Sequence, residues 1–259
     1  MLLALDIGNT ETTMGLFAGE RIEAHWRLTT TPQRTPDEWA AMLTASLTQG
    51  GRSTSEVKAA VVASVAPAVT QDICDGIEKA TGRKPVLVDG RSKLPIKLDV
   101  EEPLTVGADR IVNTLAASRL FASDTVVVDF GTATTFDCIT HDGRFLGGVI
   151  MPGLRTAADE LVRKTAKLPA TELTPPARVI GRRTEECIRA GVLLGTADAV
   201  DGLVRRIKAE WPGGGKPKVV ATGGLARVVA PLCKEIEAVH PDLTLVGLRI
   251  AAAALGLTW

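Results

Sequence analysis

The sequence predicts an α/β protein made of two copies of one half-fold. Three observations predict it. First, Leu2-Leu-Ala-Leu-Asp-Ile-Gly-Asn-Thr-Glu-Thr-Thr13 is an apolar run, an acid, one apolar residue, a glycine and then hydroxyl residues. Second, Val126-Val-Val-Asp-Phe-Gly-Thr-Ala-Thr-Thr-Phe-Asp137 is a near-copy of it. Third, the element order around each copy repeats, so a whole half is duplicated rather than one loop. With 259 residues, 45% of them hydrophobic, there is room for two units of about 100–150 residues each. The expected division is 1–118 and 119–259.

Taken in order, residues 2–7 read as a buried strand that turns at Gly8-Asn9. Met14 to Phe17 returns, Ala18-Gly19-Glu20 turns, and Arg21 to Thr29 alternates as a third strand. Thr35-Pro36-Asp37-Glu38 opens a helix, with Thr35 as cap, Pro36 at the first position and Glu38 closing a capping box. Trp39, Met42, Leu43 and Leu47 follow at helical spacing until Gly50-Gly51. Residues 57–66 make a strand, 69–80 a helix stopped by Gly82, and 85–88 another strand. Residues 89–106 are irregular. Gly107-Ala-Asp-Arg110 then opens a helix to about Phe121.

The second half repeats this order. Thr125 to Asp129 turns at Gly131, Phe136 to Thr140 returns, and Arg144 to Ile150 is the third strand. A helix is expected from about Thr156 to Lys167. After a proline-rich link, Thr184 is read as the N-cap of a long helix to Trp211, with Glu185 and Glu186 in its first turn. Gly191 and Gly195 lie one turn apart and admit close packing of another helix. Val219 to Thr222 reads as a strand, Ala226 to Val239 as a helix, Leu243 to Val246 as a strand and Leu248 to Leu255 as a last helix. Strand–helix–strand at 57–88 thus matches 218–246.

Composition narrows the function. Lys+Arg and Asp+Glu are both 30, so no basic excess points to nucleic acid and no charge block to a membrane surface. There is no tyrosine, and stacking platforms for bases are not expected. Cys74, Cys138, Cys187 and Cys233 are far apart, no C-x-x-C occurs, and only three histidines are present. Zinc is not expected, and the cysteines read as reduced, mostly core residues. The N-terminus lacks a basic region, and no apolar run approaches the roughly 18 residues of a membrane helix. The expected compartment is the cytoplasm.

The chemistry lies at the ends of the two motif strands. A glycine there lets the chain turn and a ligand approach the backbone, and free N–H groups with threonine hydroxyls suit phosphate oxygens. Asp6-Ile-Gly-Asn-Thr10 alone equally fits an ordinary hairpin turn; its partner at 129 favours a nucleotide site. Asp129 at a buried strand end calls for a cation or an arginine partner. Thr132, Thr134 and Thr135 either donate to phosphate or favour the strand. Asp109 is either a first-turn acid favoured by the helix dipole or a base that accepts a hydroxyl proton in phosphoryl transfer. Gly223-Gly224 either leaves room for a nucleoside or makes a tight turn. Lys216 after three glycines has no Ser or Thr behind it, so it is no P-loop.

Five segments in order, Asp6-Ile-Gly-Asn-Thr10, Gly107-Ala-Asp-Arg110, Asp129-Phe-Gly-Thr-Ala133, Gly147-Gly-Val-Ile-Met-Pro-Gly153 and Ala221-Thr-Gly-Gly-Leu-Ala226, resemble type III pantothenate kinase over nearly the whole chain. The resemblance implies a duplicated actin-like (ribonuclease H-like) ATPase fold, with two mixed five-stranded sheets and flanking helices. It implies ATP-dependent phosphorylation of pantothenate to 4′-phosphopantothenate, the first step of coenzyme A synthesis, in a homodimer. It also implies Mg²⁺, as Mg-ATP, and a monovalent cation, K⁺ or NH₄⁺.

By position, the resemblance puts Asp6, Ile7, Gly8, Asn9, Thr10, Glu11, Thr12 and Thr13 around the ATP phosphates. Asp6 would lie near Mg²⁺, through water. Thr132 would contact ATP, and Asp129 would hold K⁺. Gly107, Ala108, Asp109 and Arg110 would bind pantothenate, with Asp109 as proton acceptor and Thr184 as a further substrate contact. The chain departs from many relatives at Asp89-Gly-Arg-Ser-Lys93, where they carry a tyrosine, and at Ile96-Lys-Leu-Asp-Val100, where an aromatic followed by Asp-Asn is commoner. A non-catalytic regulator on the same fold, or a kinase for another small hydroxyl substrate, is the alternative.

Overall fold

The computed structural model describes residues 1–259. The chain forms two compact units, Met1–Arg119 with Leu243–Trp259, and Leu120–Asp242. The first contains strands β1 (Leu2–Ile7), β2 (Glu11–Ala18) and β3 (Arg21–Thr29), helix α1 (Pro36–Gln49), strand β4 (Ala59–Ser64), helix α2 (Pro67–Thr81), strands β5 (Val86–Val88) and β6 (Lys97–Leu98) and helix α3 (Ala108–Leu120). Its sheet has the order β3-β2-β1-β4-β5. β1 pairs antiparallel with β2 and parallel with β4, in a register that sets Ile7 beside Ser64.

The second unit contains strands β7 (Thr125–Phe130), β8 (Ala133–Ile139) and β9 (Arg144–Pro152), helices α4 (Leu154–Lys164) and α5 (Thr184–Glu210), strand β10 (Lys218–Thr222), helix α6 (Ala226–Val229) and strand β11 (Ala238–Val239). These strands run β11-β10-β7-β8-β9. β7 pairs antiparallel with β8 and parallel with β10, setting Asp129 beside Thr222. Strands β1–β5 and β7–β11 share one connectivity, which makes the duplication a property of the fold, and the second sheet counts six strands where five were expected.

β1 is apolar at nearly every position because it is covered on both faces. Leu3, Leu5 and Ile7 pack with Trp39, Leu43, Ile73 and Ile77 of α1 and α2. Leu2 and Ala4 pack with Ile111, Val112 and Leu115 of α3 and with Leu245 and Leu248 of the last helix, α7 (Leu243–Ala254). Strand alternation then puts Asp6 on the α3 face. In the second unit Val126, Val128 and Phe130 pack against Ile188, Leu193 and Val200 of α5. Asp129 therefore lies on the opposite face of β7.

The capping box at Thr35 and Glu38 is present, with Pro36 inside the first turn. Four expectations change. The segment 226–239 is a single helical turn, a 3-10 turn and β11, because Pro231 cannot continue a helix. The amides of Lys234 and Glu235 are instead held by the buried carboxylate of Asp201, at 2.9 and 3.0 Å. Leu243–Val246 is the start of α7 and not a strand, so the strand–helix–strand of the second unit closes on β11. α7 belongs to the first unit, where Gly247 lies on Val112: a Cβ there would sit 2.1 Å from the Val112 carbonyl oxygen. The N-cap of α5 is Arg183, without a side-chain cap bond, and Thr184 is the first helical residue. Glu186 reaches back to the Arg182 amide at 2.8 Å. All four cysteines are free thiols, Cys74 buried and Cys187 exposed. No helix is long and apolar enough to cross a membrane.

Candidate active site

In the first unit the chemistry-bearing residues meet at the carboxyl end of β1, where ligands of open α/β sheets bind. The β1–β2 turn is closed by the Gly8 amide donating to the Glu11 carbonyl at 3.0 Å. Asn9 and Thr10 are exposed at its tip, and Asp6 is half-buried behind it. The Thr12 hydroxyl faces inward, fully buried, 3.0 Å from the hydroxyl of Thr30.

Gly107 and Asp109 reach the same end. Val65, just past β4, donates its amide to the Ile7 carbonyl at 3.0 Å. A Cβ on Gly107 would lie 3.3 Å from the Val65 Cγ1 and 2.5 Å from the Asp109 Oδ1. The Asp109 carboxylate therefore folds over Gly107, and a side chain at 107 would have to displace it. Asp109 Oδ1 accepts from the Arg110 amide at 2.8 Å in the first turn of α3. Desolvation by burial pushes the Asp109 carboxyl above its ordinary range, against the smaller lowering by the Arg110 amide and guanidinium. The fold thus places Asp6, Gly8, Gly107 and Asp109 in one locality, although about a hundred residues separate the two motifs.

The second unit builds a parallel locality at the end of β7. Its turn is shorter, with the Gly131 amide donating to the Ala133 carbonyl at 3.0 Å. Thr132 is exposed at the tip. Its carbonyl accepts from the Gly153 amide at 3.1 Å and from the Thr156 hydroxyl at 2.6 Å. Asp129 lies across Gly223: a Cβ there would fall 2.3 Å from Asp129 Oδ1, and the backbone has φ +91°, a left-handed conformation that favours glycine. On β10, beside Asp129 in register, the buried Thr222 hydroxyl has no hydrogen-bond partner. Thr184 is exposed at the start of α5. Sequence reasoning missed Thr30, Thr156 and Thr222 as members of these localities. Thr30 and Thr156 offered only a hydroxyl soon after a third strand, and Thr222 lay inside the motif segment 221–226 without being singled out.

A family model described as type III pantothenate kinase matches residues 2–206. The chain belongs to the type III pantothenate kinase family. It is 44% identical over 250 residues to the type III pantothenate kinase of Moorella thermoacetica, covering 96% of this chain and 98% of that protein. It is 43% identical to that of Thermomicrobium roseum, covering 97% and 96%. Among solved structures it is similar to the activator of the 2-hydroxyisocaproyl-CoA dehydratase from Clostridium difficile with bound ADPNP, at TM-score 0.56 and 16% identity, covering 98% and 94%. It is similar also to (R)-2-hydroxyglutaryl-CoA dehydratase component A of Acidaminococcus fermentans, at TM-score 0.56 and 15% identity, covering 98% and 96%. At such identities the likeness concerns the fold, a duplicated actin-like α/β architecture.

Proposed function

We propose that this family member transfers the γ-phosphoryl group of ATP to the 4′-hydroxyl of pantothenate, with Asp109 as the general base. The observation that carries the reading is the Asp109 carboxylate, laid over Gly107 beside the end of β1. The hydroxyl oxygen attacks the γ-phosphorus, its proton passes to Asp109, and the bond to the β–γ bridging oxygen breaks to release ADP. A loose transition state needs little proton transfer at the outset, so one positioned carboxylate suffices. Its raised proton affinity brings it nearer to the hydroxyl proton it accepts. Gly107, Ala108, Arg110 and Thr184 are the proposed pantothenate contacts.

Residues 6–13 and Thr132 are the proposed ATP contacts, the exposed tips Asn9, Thr10 and Thr132 foremost. Asp6, a half-buried carboxylate beside the turn, has the oxygen chemistry a hard cation takes. Mg²⁺ bound to the phosphates would offset their charge, and Asp6 would orient it through water. The Asp129 site fits a monovalent cation. A carboxylate laid over a glycine, next to a buried hydroxyl without a partner, offers oxygen donors that Thr222 otherwise leaves unused.

A homodimer is supported by an open apolar groove of about 580 Å³ in the second unit, lined by Met151, Leu161, Ile188, Gly191 and Gly195 among others. A Cβ on Gly191 or Gly195 would meet nothing within 4 Å. Gly191→Arg should then give a monomer in sedimentation.

The activity test is ADP release from Mg-ATP with and without pantothenate, with the product mass measured. Pantothenate-dependent ADP release with a phosphopantothenate product is expected. ADP release indifferent to pantothenate would remove the assignment.

A further inference from the structure

We propose that Thr30 is a positioning residue that sets the orientation of the phosphate turn. This rests on the reading of residues 6–13 as the ATP-phosphate loop. Thr30 comes just after β3, makes no part of the exposed tip, and is 1% exposed. Its hydroxyl donates to the Gly8 carbonyl at 2.8 Å, and its amide donates to the Thr10 carbonyl at 2.9 Å. One buried residue therefore holds both carbonyls that flank the Asn9 tip.

Peptide geometry turns these two bonds into control of the amides. In a trans peptide the C=O and the next N–H point in opposite directions. Drawing the Gly8 carbonyl toward Thr30 turns the Asn9 N–H the other way. Drawing the Thr10 carbonyl does the same for the Glu11 N–H. Without these bonds each peptide plane could rotate and present a carbonyl, whose partial negative charge repels phosphate.

The hydroxyl is itself held. Thr30 has one hydroxyl proton, and a carbonyl can only accept, so that proton goes to Gly8. The 3.0 Å contact with the Thr12 hydroxyl must then have Thr12 as donor. The chain Thr12 O–H to Thr30 O–H to Gly8 C=O is directional and buried, which strengthens each link. The second unit meets the same need differently. After its third strand, the Gly153 amide and the Thr156 hydroxyl both donate to the Thr132 carbonyl.

The test is hydrogen exchange of the peptide spanning residues 8–11, with and without ATP, on wild type and on Thr30→Val, together with steady-state kinetics. Wild type should show ATP-dependent protection. Thr30→Val, which frees the Gly8–Asn9 peptide plane but keeps the amide bond to Thr10, should lose part of it and show about a tenfold fall in kcat/KM for ATP, with KM for pantothenate unchanged. Thr30→Ser, which keeps the hydroxyl, should restore both. If Thr30→Val does not fold, Thr30→Cys, a weak donor of similar shape, should show an intermediate loss. Protection in wild type that persists undiminished in the folded variant overturns the role of Thr30 and leaves the loop reading intact. Absence of ATP protection in wild type overturns the loop reading, and this proposal with it. An equal fall for both substrates without rescue by serine marks a merely structural residue and overturns the positioning role.

Discussion

The two strand–turn–strand motifs are copies in sequence and in hydrogen-bonded topology, yet they are stabilised and equipped differently. In the first unit the turn is three residues long, between Ile7 and Glu11, and hangs from one buried threonine. In the second it is two residues long, between Phe130 and Ala133, and hangs from the start of α4. Both strands bind the next connection through an equivalent bond, Val65 amide to Ile7 carbonyl at 3.0 Å and Leu225 amide to Phe130 carbonyl at 3.2 Å. Beyond that bond the two units part. The first unit's glycine beneath a carboxylate is Gly107 beneath Asp109; the second's is Gly223 beneath Asp129. Duplication kept the scaffold, and on the proposed roles divergence gave proton transfer to one copy and cation binding to the other.

The largest break in that comparison is Asp109→Asn. With Asp109 as the base, kcat falls about 10²–10⁴-fold, while the melting temperature at pH 7 holds or rises. The sign comes from the carboxyl's upward shift. A raised folded-state pKa gives stability present below the ordinary aspartate range and lost as pH rises through the folded value, so at pH 7 the charge weakens the fold. Calorimetry beside kinetics checks both halves.

Gly153→Ala and Gly223→Ala come next. An added Cβ at 153 would lie 2.3 Å from the Thr132 carbonyl oxygen and 2.4 Å from that of Gly131. At 223 it would meet Asp129 and the Phe130 backbone, at a strained φ. Each should cost about 1–3 kcal/mol of stability, measured by denaturant unfolding. Only Gly223→Ala should also weaken K⁺ activation.

Thr222→Val sharpens the cation half of the comparison. The K⁺ concentration for half-activation should rise about three- to tenfold, the worth of roughly 1 kcal/mol of contact. Stability should not fall, because an unpartnered buried hydroxyl is replaced by an apolar group of the same shape. The smallest effect is Thr156→Val. Its hydroxyl is one of two donors to the Thr132 carbonyl, and it is exposed, so about 0.5–1 kcal/mol is expected. A larger loss than for Thr30→Val would reverse the order of the two anchors.

Much of this was legible in the sequence. β1 and β7 announced themselves as apolar runs ending in Asp-x-Gly, and Thr35 to Glu38 as a cap. The motif residues Asp6, Asp109 and Asp129 were readable because acids at strand ends and helix starts stand out against apolar neighbours. Other features were not legible, for physical reasons. Leu243–Ala254 is apolar around most of its circumference, so periodicity could not separate strand from helix. Its return to the first unit depends on the fit of Gly247 to Val112. β11 has two residues and no period. Asp201 serves amides more than thirty positions away. Thr30, just after a strand, and Thr156, at the expected start of a helix, gave no sign in the sequence of the carbonyls they hold. Pro231, by contrast, was a readable breaker.

The most direct test of Asp109 as the base is the pH dependence of kcat/KM for pantothenate on the acid side. It should be run identically on wild type and on the residual activity of Asp109→Asn, with ionisation of both substrates allowed for. Wild type should fall one decade per pH unit, with an apparent pKa above the ordinary aspartate value of about 3.9, and the variant should show no such limb. A limb at the ordinary value, or one that survives in Asp109→Asn, would contradict Asp109 as the base.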